Sequence, residues 1–150
     1  KLRVQFYDDD PALTVYLEIK RRSGDLTTKQ RAAVPREGAV AILRGQDLVA
    51  NRQVGECQAR TPIIQDFRKL MMADQAVPRL HLAYHREAWL DVSEPAIRFT
   101  MDRGICCAYQ ASCDLSSALH DPLMPWGSQV IASLKFAGRF PAWFWPPRPG

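Results

Sequence analysis

Arginine and lysine recur at every second position along several short runs of this chain, with few carboxylates among them. The sets are Lys1 and Arg3 with Gln5, Glu18 with Lys20, Lys29 with Arg31, Tyr84 with Arg86, Arg98 with Thr100 and Asp102, and Ser133 with Lys135. A period of two puts each set on one face of a β-strand. On any single strand such a face reads as the wet side of an antiparallel sheet. Recurrence on run after run points to a shared basic hollow, as in a sheet curled into a barrel. Crowded cations are costly there unless an anion neutralises them. Phosphate is the natural anion, because Arg offers a planar fork to its oxygens and Lys a compact point charge. The chemistry such a set supports is phosphoryl transfer, which asks the protein for positioning and charge neutralisation more than for covalent help. Glu18 and Asp102, the carboxylates on these faces, are candidates to orient groups or to hold a divalent metal on phosphate oxygens.

The elements that must position these residues are legible from the same alternation. "KLRVQFY" (1–7) predicts a strand, "DDDP" a turn, "VYLEIK" a second strand, "RSGD" a hairpin connection and "LTTKQRAAV" a third strand. Pro35 and Gly45 bracket a predicted short helix over 35–45. Residues 46–60 are polar and weakly patterned. "TPIIQDFRKLMMAD" then predicts a helix whose apolar stripe is Ile63, Ile64, Phe67, Leu70 and Met71, with Met71 and Met72 expected to pack. "VPRLHLAYHREAWL" and "AIRFTMDRGICCAY" read as an antiparallel pair of strands, "SSALHDPLMPWG" as a loop and "SQVIASLKF" as a last strand. The Pro- and aromatic-rich end "RFPAWFWPPRPG" cannot continue a sheet and is expected to pack as a plug through Phe140, Trp143, Phe144 and Trp145.

Composition narrows the classes. A chain of 150 residues is long enough for one domain with a real core and short for two. The 20 Lys and Arg against 16 Asp and Glu leave a net charge of +4, which favours anionic partners without choosing among them. No run is long and apolar enough to span a bilayer, and the start has no signal-peptide shape, so a cytoplasmic protein is expected. The chain starts at Lys1 on a strand pattern, as a fragment of a longer protein would. Cys57, Cys106, Cys107 and Cys113 lack zinc-site spacing and read as reduced thiols. His81 and His85 alternate on a strand and do not make a helical zinc pair, and His120 has no partner. "KRR" at 20–22 is too short and too much part of a strand face for a nucleic-acid patch, so no nucleic acid is expected. With no P-loop and no glycine-rich dinucleotide turn, side chains have to hold any nucleotide.

The runs "LRVQFYDDD", "LEIKRRSG", "TKQRA", "YHREAW", "IRFTMDRGI" and "SLKF" followed by "PAW" resemble, in order, the VTC (vacuolar transporter chaperone) domain. That domain is the polyphosphate polymerase branch of the triphosphate tunnel metalloenzyme, or CYTH-like, superfamily. The resemblance implies an α+β fold: an antiparallel β-tunnel with a basic lumen and helices packed outside, forming a single domain over 1–150. It implies ATP and inorganic polyphosphate as partners, a divalent metal (Mn or Mg), and transfer of the γ-phosphate to a growing chain. By similarity Lys20, Arg86 and Arg98 fall at catalytic positions, and Arg3, Lys20, Lys29, Arg31, Tyr84, Arg86, Arg98 and Lys135 at phosphate-binding ones. Glu18 is the implied acidic partner of Lys20, and Glu18 and Asp102 are the implied metal ligands. Gln5 stands where the family usually has a second Arg, and Ser133 where a metal-binding Glu is expected. The family's first basic strand with its preceding helix, and its C-terminal Ser-Lys segment, have no counterpart in these residues. A catalytically degenerate polyphosphate- or nucleotide-binding module is the alternative that these departures leave open.

Overall fold

The computed structural model describes residues 1–46, 62–94 and 96–144. Its strands are β1 (Leu2–Gln5), β2 (Val15–Ser23), β3 (Leu26–Val34), β4 (Leu80–Leu90), β5 (Arg98–Tyr109) and β6 (Ile131–Lys135). Its helices are α1 (Arg36–Leu43), α2 (Pro62–Ala73) and a short 3-10 turn at Ala142–Phe144. Hydrogen bonds join the strands into two three-stranded sheets, ordered β1-β2-β3 and β4-β5-β6, and no closed ring of strands forms among the described residues. The architecture is α+β, in two compact units: Lys1–Leu80 with Tyr109–Leu119, and His81–Ala108 with His120–Gly150.

In the first unit the alternation predicts the packing directly. Val15, Leu17 and Ile19 of β2, with Ala32 and Val34 of β3, turn one sheet face inward and are buried. Ala39, Ala41 and Ile42 of α1 and Ile64, Phe67 and Met71 of α2 complete the same core. Each fully buried large aliphatic or aromatic side chain contributes about 1.5–3 kcal/mol, so this cluster carries the unit's stability. The α2 stripe is as expected except at Met72, which is 72% exposed. One residue past Met71, it has rotated about 100° away from the sheet. Pro35 precedes α1 instead of opening it. β1 stops at Gln5, two residues short of its predicted end, because the aspartates that follow bond their own backbone: Asp8 Oδ1 accepts from the Asp9 amide at 2.6 Å and Asp10 Oδ1 from that of Ala12 at 2.8 Å. Thr61, at the start of the predicted second helix, and the polar stretch before it lie outside the described residues, apart from Gln46.

The hairpin between β2 and β3 is tighter than the sequence suggests. Pairing continues to Ser23 opposite Leu26, leaving only Gly24 and Asp25 in the turn, and Gly24 has φ +57°, as glycine-first two-residue hairpins require. Both helices close with paired bonds, in α1 from Gly45 to Ile42 and Gln46 to Ala41, in α2 from Gln75 to Met72 and Ala76 to Met71. In α1 glycine takes the left-handed position; in α2 it falls to Gln75, at φ +47°. A side chain there costs about 1 kcal/mol. Gln75→Gly is therefore expected to raise stability by up to about 1 kcal/mol, read as a higher midpoint in urea at unchanged slope.

The second unit is thinner. Among the described residues its buried apolar side chains are Ile97, Ile105, Ala108 and Pro141. Much of the rest is aromatic: Trp89 meets Phe99 at 5.7 Å between ring centroids, Phe99 meets Phe144 at 6.0 Å, and Phe144 meets Phe140 at 5.7 Å. The expected plug reaches this sheet through Phe144, which meets Phe99, while Phe140 packs edge-on against Phe136 and Phe144 and Trp143 is exposed. Trp145 lies outside the described residues. Backbone N–H groups of Glu94 and Ser93, aided by Trp143, hold the Asp91 carboxyl below its ordinary value. Cys106, Cys107 and Cys113 are free thiols, and no described helix is long and apolar enough to cross a membrane.

Candidate functional site: two basic strand faces

Register decides which charges meet. In the first sheet Arg3 pairs with Glu18 and Glu18 with Arg31, while Gln5 pairs with Tyr16 and Lys20 with Lys29. Directly opposed residues share a face. Arg3, Lys20, Lys29 and Arg31 therefore stand together on the side away from the core, and the same parity adds Arg22. Glu18 is their one carboxylate, buried to 3% exposure among them. Its Oε2 accepts from Lys29 Nζ at 2.7 Å, and Arg3 Nη1 approaches Oε1 at 3.7 Å. Burial pushes the Glu18 carboxyl up, but the hydrogen bond and charge of Lys29 and the charges of Arg3 and Arg31 outweigh it, and the group lies below its ordinary value.

The implied pairing of Glu18 with Lys20 is not what forms. Lys20 lies two residues along the same strand, whereas the longer reach across to β3 brings the Lys29 ammonium into contact. Lys20 is left opposite Lys29, a like-charged cross-strand pair that destabilises a sheet.

The second sheet repeats the pattern. Arg98 of β5 is opposite Lys135 of β6, both exposed, with no carboxylate in ion-pair contact with either among the described residues. Thr100 and Ser133 form the next row. One row further, buried Asp102 takes both oxygens of its carboxylate to Arg86, at 2.6 Å from Nε and from Nη2. The Arg86 guanidinium lies over the Tyr84 ring, 4.9 Å from its centroid. Tyr84, Arg86, Asp102, Arg98 and Lys135 thus belong to one sheet, as Arg3, Glu18, Lys20, Lys29 and Arg31 belong to the other.

A resident metal is not supported by these donors. Both candidate carboxylates are engaged by cations, and no group of three or more His, Cys, Asp or Glu gathers among the described residues. His81 and His85 join no such cluster. Ser133 supplies no carboxylate beside Thr100.

Alternation put Gln5 on this face but did not show the contacts that hold Arg31. Its guanidinium lies 3.7 Å from the Tyr16 ring centroid, and Nη2 donates to Gln5 Oε1 at 2.8 Å and to the Tyr7 hydroxyl at 3.4 Å. Gln5 in turn donates from Nε2 to the Tyr7 hydroxyl at 2.9 Å. The parity of Tyr16 with Glu18 and Lys20 was the available signal; its stacking on Arg31 depends on the register of β2 against β3.

Set against known families, residues 1–144 match the family model described as the VTC domain. No curated protein matches the chain.

Proposed function

From the premise that the chain belongs to the VTC domain family, we propose that it is a polyphosphate polymerase domain. It binds ATP and a polyphosphate chain on its basic strand faces and transfers the γ-phosphoryl group to the chain end. The observation that supports this most is the doubled like-charge pairing, Lys20 opposite Lys29 and Arg98 opposite Lys135. A sheet with no polyanion to hold has no use for such pairs. In the transfer, the bond between the γ-phosphorus and the β–γ bridging oxygen breaks as a terminal oxygen of the polyphosphate attacks. ADP leaves, and the chain grows by one unit. Lys20, Lys29, Arg31, Arg98 and Lys135 neutralise and align the phosphates, and Arg86 adds charge while tied to Asp102. A divalent metal, implied by the family, would supply charge neutralisation when bound; Glu18 and Asp102, the candidate ligands, are engaged by Lys29 and Arg86.

Incubation with ATP and Mn²⁺ is expected to yield polyphosphate, detected by gel and by sensitivity to a polyphosphatase. ATP left unconverted while tripolyphosphate still binds overturns the enzymatic reading. It leaves the second one, a catalytically degenerate binding module, which the cation-engaged carboxylates and Ser133 favour. On that reading, Ser133→Glu is expected to make phosphate binding respond to Mn²⁺; an unchanged response counts against it.

A further inference from the structure

The cations of the first sheet are not equivalent. Lys29 and Arg3 are drawn to Glu18, so part of their charge is already answered. Arg31 faces Glu18 across the strands but makes no ion-pair contact with it. Its contacts are neutral: the Tyr16 ring, the Gln5 amide oxygen and the Tyr7 hydroxyl. These fix the plane of the guanidinium and occupy Nη2. Nε and Nη1 have no acceptor among the described residues. An exposed arginine normally forfeits rotamer entropy when it grips a ligand. Here part of that ordering is already made by groups that leave the charge intact.

We infer that Arg31 is the pre-ordered phosphate anchor of this sheet and that Tyr16 and Gln5 are its positioning residues, a neutral clamp that holds Nη2 and leaves Nε–H and Nη1–H, which point apart, for separate non-bridging oxygens of a polyphosphate. The inference rests on the proposed function and adds a division of labour: Arg31 orients the chain, while Lys20 and Lys29 attract it without fixing it. It also gives Gln5 a role. An amide there accepts from Arg31 at 2.8 Å, whereas a second arginine at this position would have no acceptor to offer and would repel it.

The test is calorimetric titration of the whole chain with inorganic tripolyphosphate at several salt concentrations, with thermal melts to verify folding. Arg31→Ala is expected to weaken binding about tenfold or more and to lower the salt slope by about one ion. Arg31→Lys keeps the charge but cannot stack on Tyr16 or hold its donors in fixed directions, so it is expected to lose several-fold at an unchanged slope. Tyr16→Leu and Gln5→Ala should each lose about three- to tenfold, again with the slope unchanged, since no charge is removed. Binding should return with Tyr16→Phe, which keeps the ring. A merely structural role for Tyr16 would shift the melt and leave the affinity of the folded protein alone. Wild-type affinity in Tyr16→Leu or in Arg31→Lys overturns the clamp. Failure of the unaltered chain to bind tripolyphosphate at all overturns the proposed function itself, so the two failures are distinguishable.

Discussion

Glu18→Gln is expected to lower the stability of the protein by about 2 kcal/mol and, at the same time, to tighten its hold on tripolyphosphate. Glu18 is the one carboxylate on the basic face of the first sheet, 3% exposed, and it answers Lys29 and Arg3 directly. Removing one partner of a fully buried pair costs about 3–5 kcal/mol. Here the Lys29 and Arg3 side chains are 53% and 49% exposed, so solvent screens what is left behind and the smaller figure applies. With the carboxylate gone, the same cations attract a polyanion more strongly, and tripolyphosphate should restore more thermal stability to the variant than to the wild type. The acid limb gives a second reading. The Glu18 carboxyl lies below its ordinary value in the folded chain. Its contribution is therefore complete above the unfolded value and is lost as pH falls through the lowered folded one. The variant should show a flatter loss of stability across that acid window. A variant as stable as wild type, with the same acid limb, would show that the face needs no internal counter-charge.

The second large effect has the opposite pattern. Arg98→Ala and Lys135→Ala should each weaken tripolyphosphate binding about tenfold or more, with polyphosphate synthesis falling at least as far. Each should also leave the fold slightly more stable, by up to about 0.5 kcal/mol, because the two are cross-strand neighbours of like charge. Gain in stability with loss of binding is the mark of a residue kept for its ligand. Loss of both would place these side chains in the structural framework instead. Equilibrium unfolding and calorimetry on the same preparations separate the outcomes.

The two sheets differ in how they carry their charges. On the first, a buried carboxylate and a stacked arginine divide the work of lowering repulsion and of fixing geometry. On the second, Arg86 is locked bidentate to Asp102, while Arg98 and Lys135 stand open. The unequal cores follow the same contrast. Val15, Leu17, Ile19, Ile42, Ile64 and Phe67 bury the back of the first sheet. The second leans on aromatic contacts of Phe99, Phe140 and Phe144.

By itself the amino-acid sequence determined which residues share a strand face and which build the first core. The period-two runs around Arg3, Lys20, Arg31, Arg86, Arg98 and Lys135, and the Ile64, Phe67 and Met71 stripe of α2, are local properties of backbone geometry. Only the tertiary structure decided who partners whom. Lys29 and not Lys20 reaches Glu18, Asp102 is spent on Arg86, and Tyr16 carries Arg31. The reason is physical: alternation fixes the side of a sheet on which a charge stands, but the register between strands fixes its neighbours, and an ion pair or a ring stack is made or lost over a few ångströms.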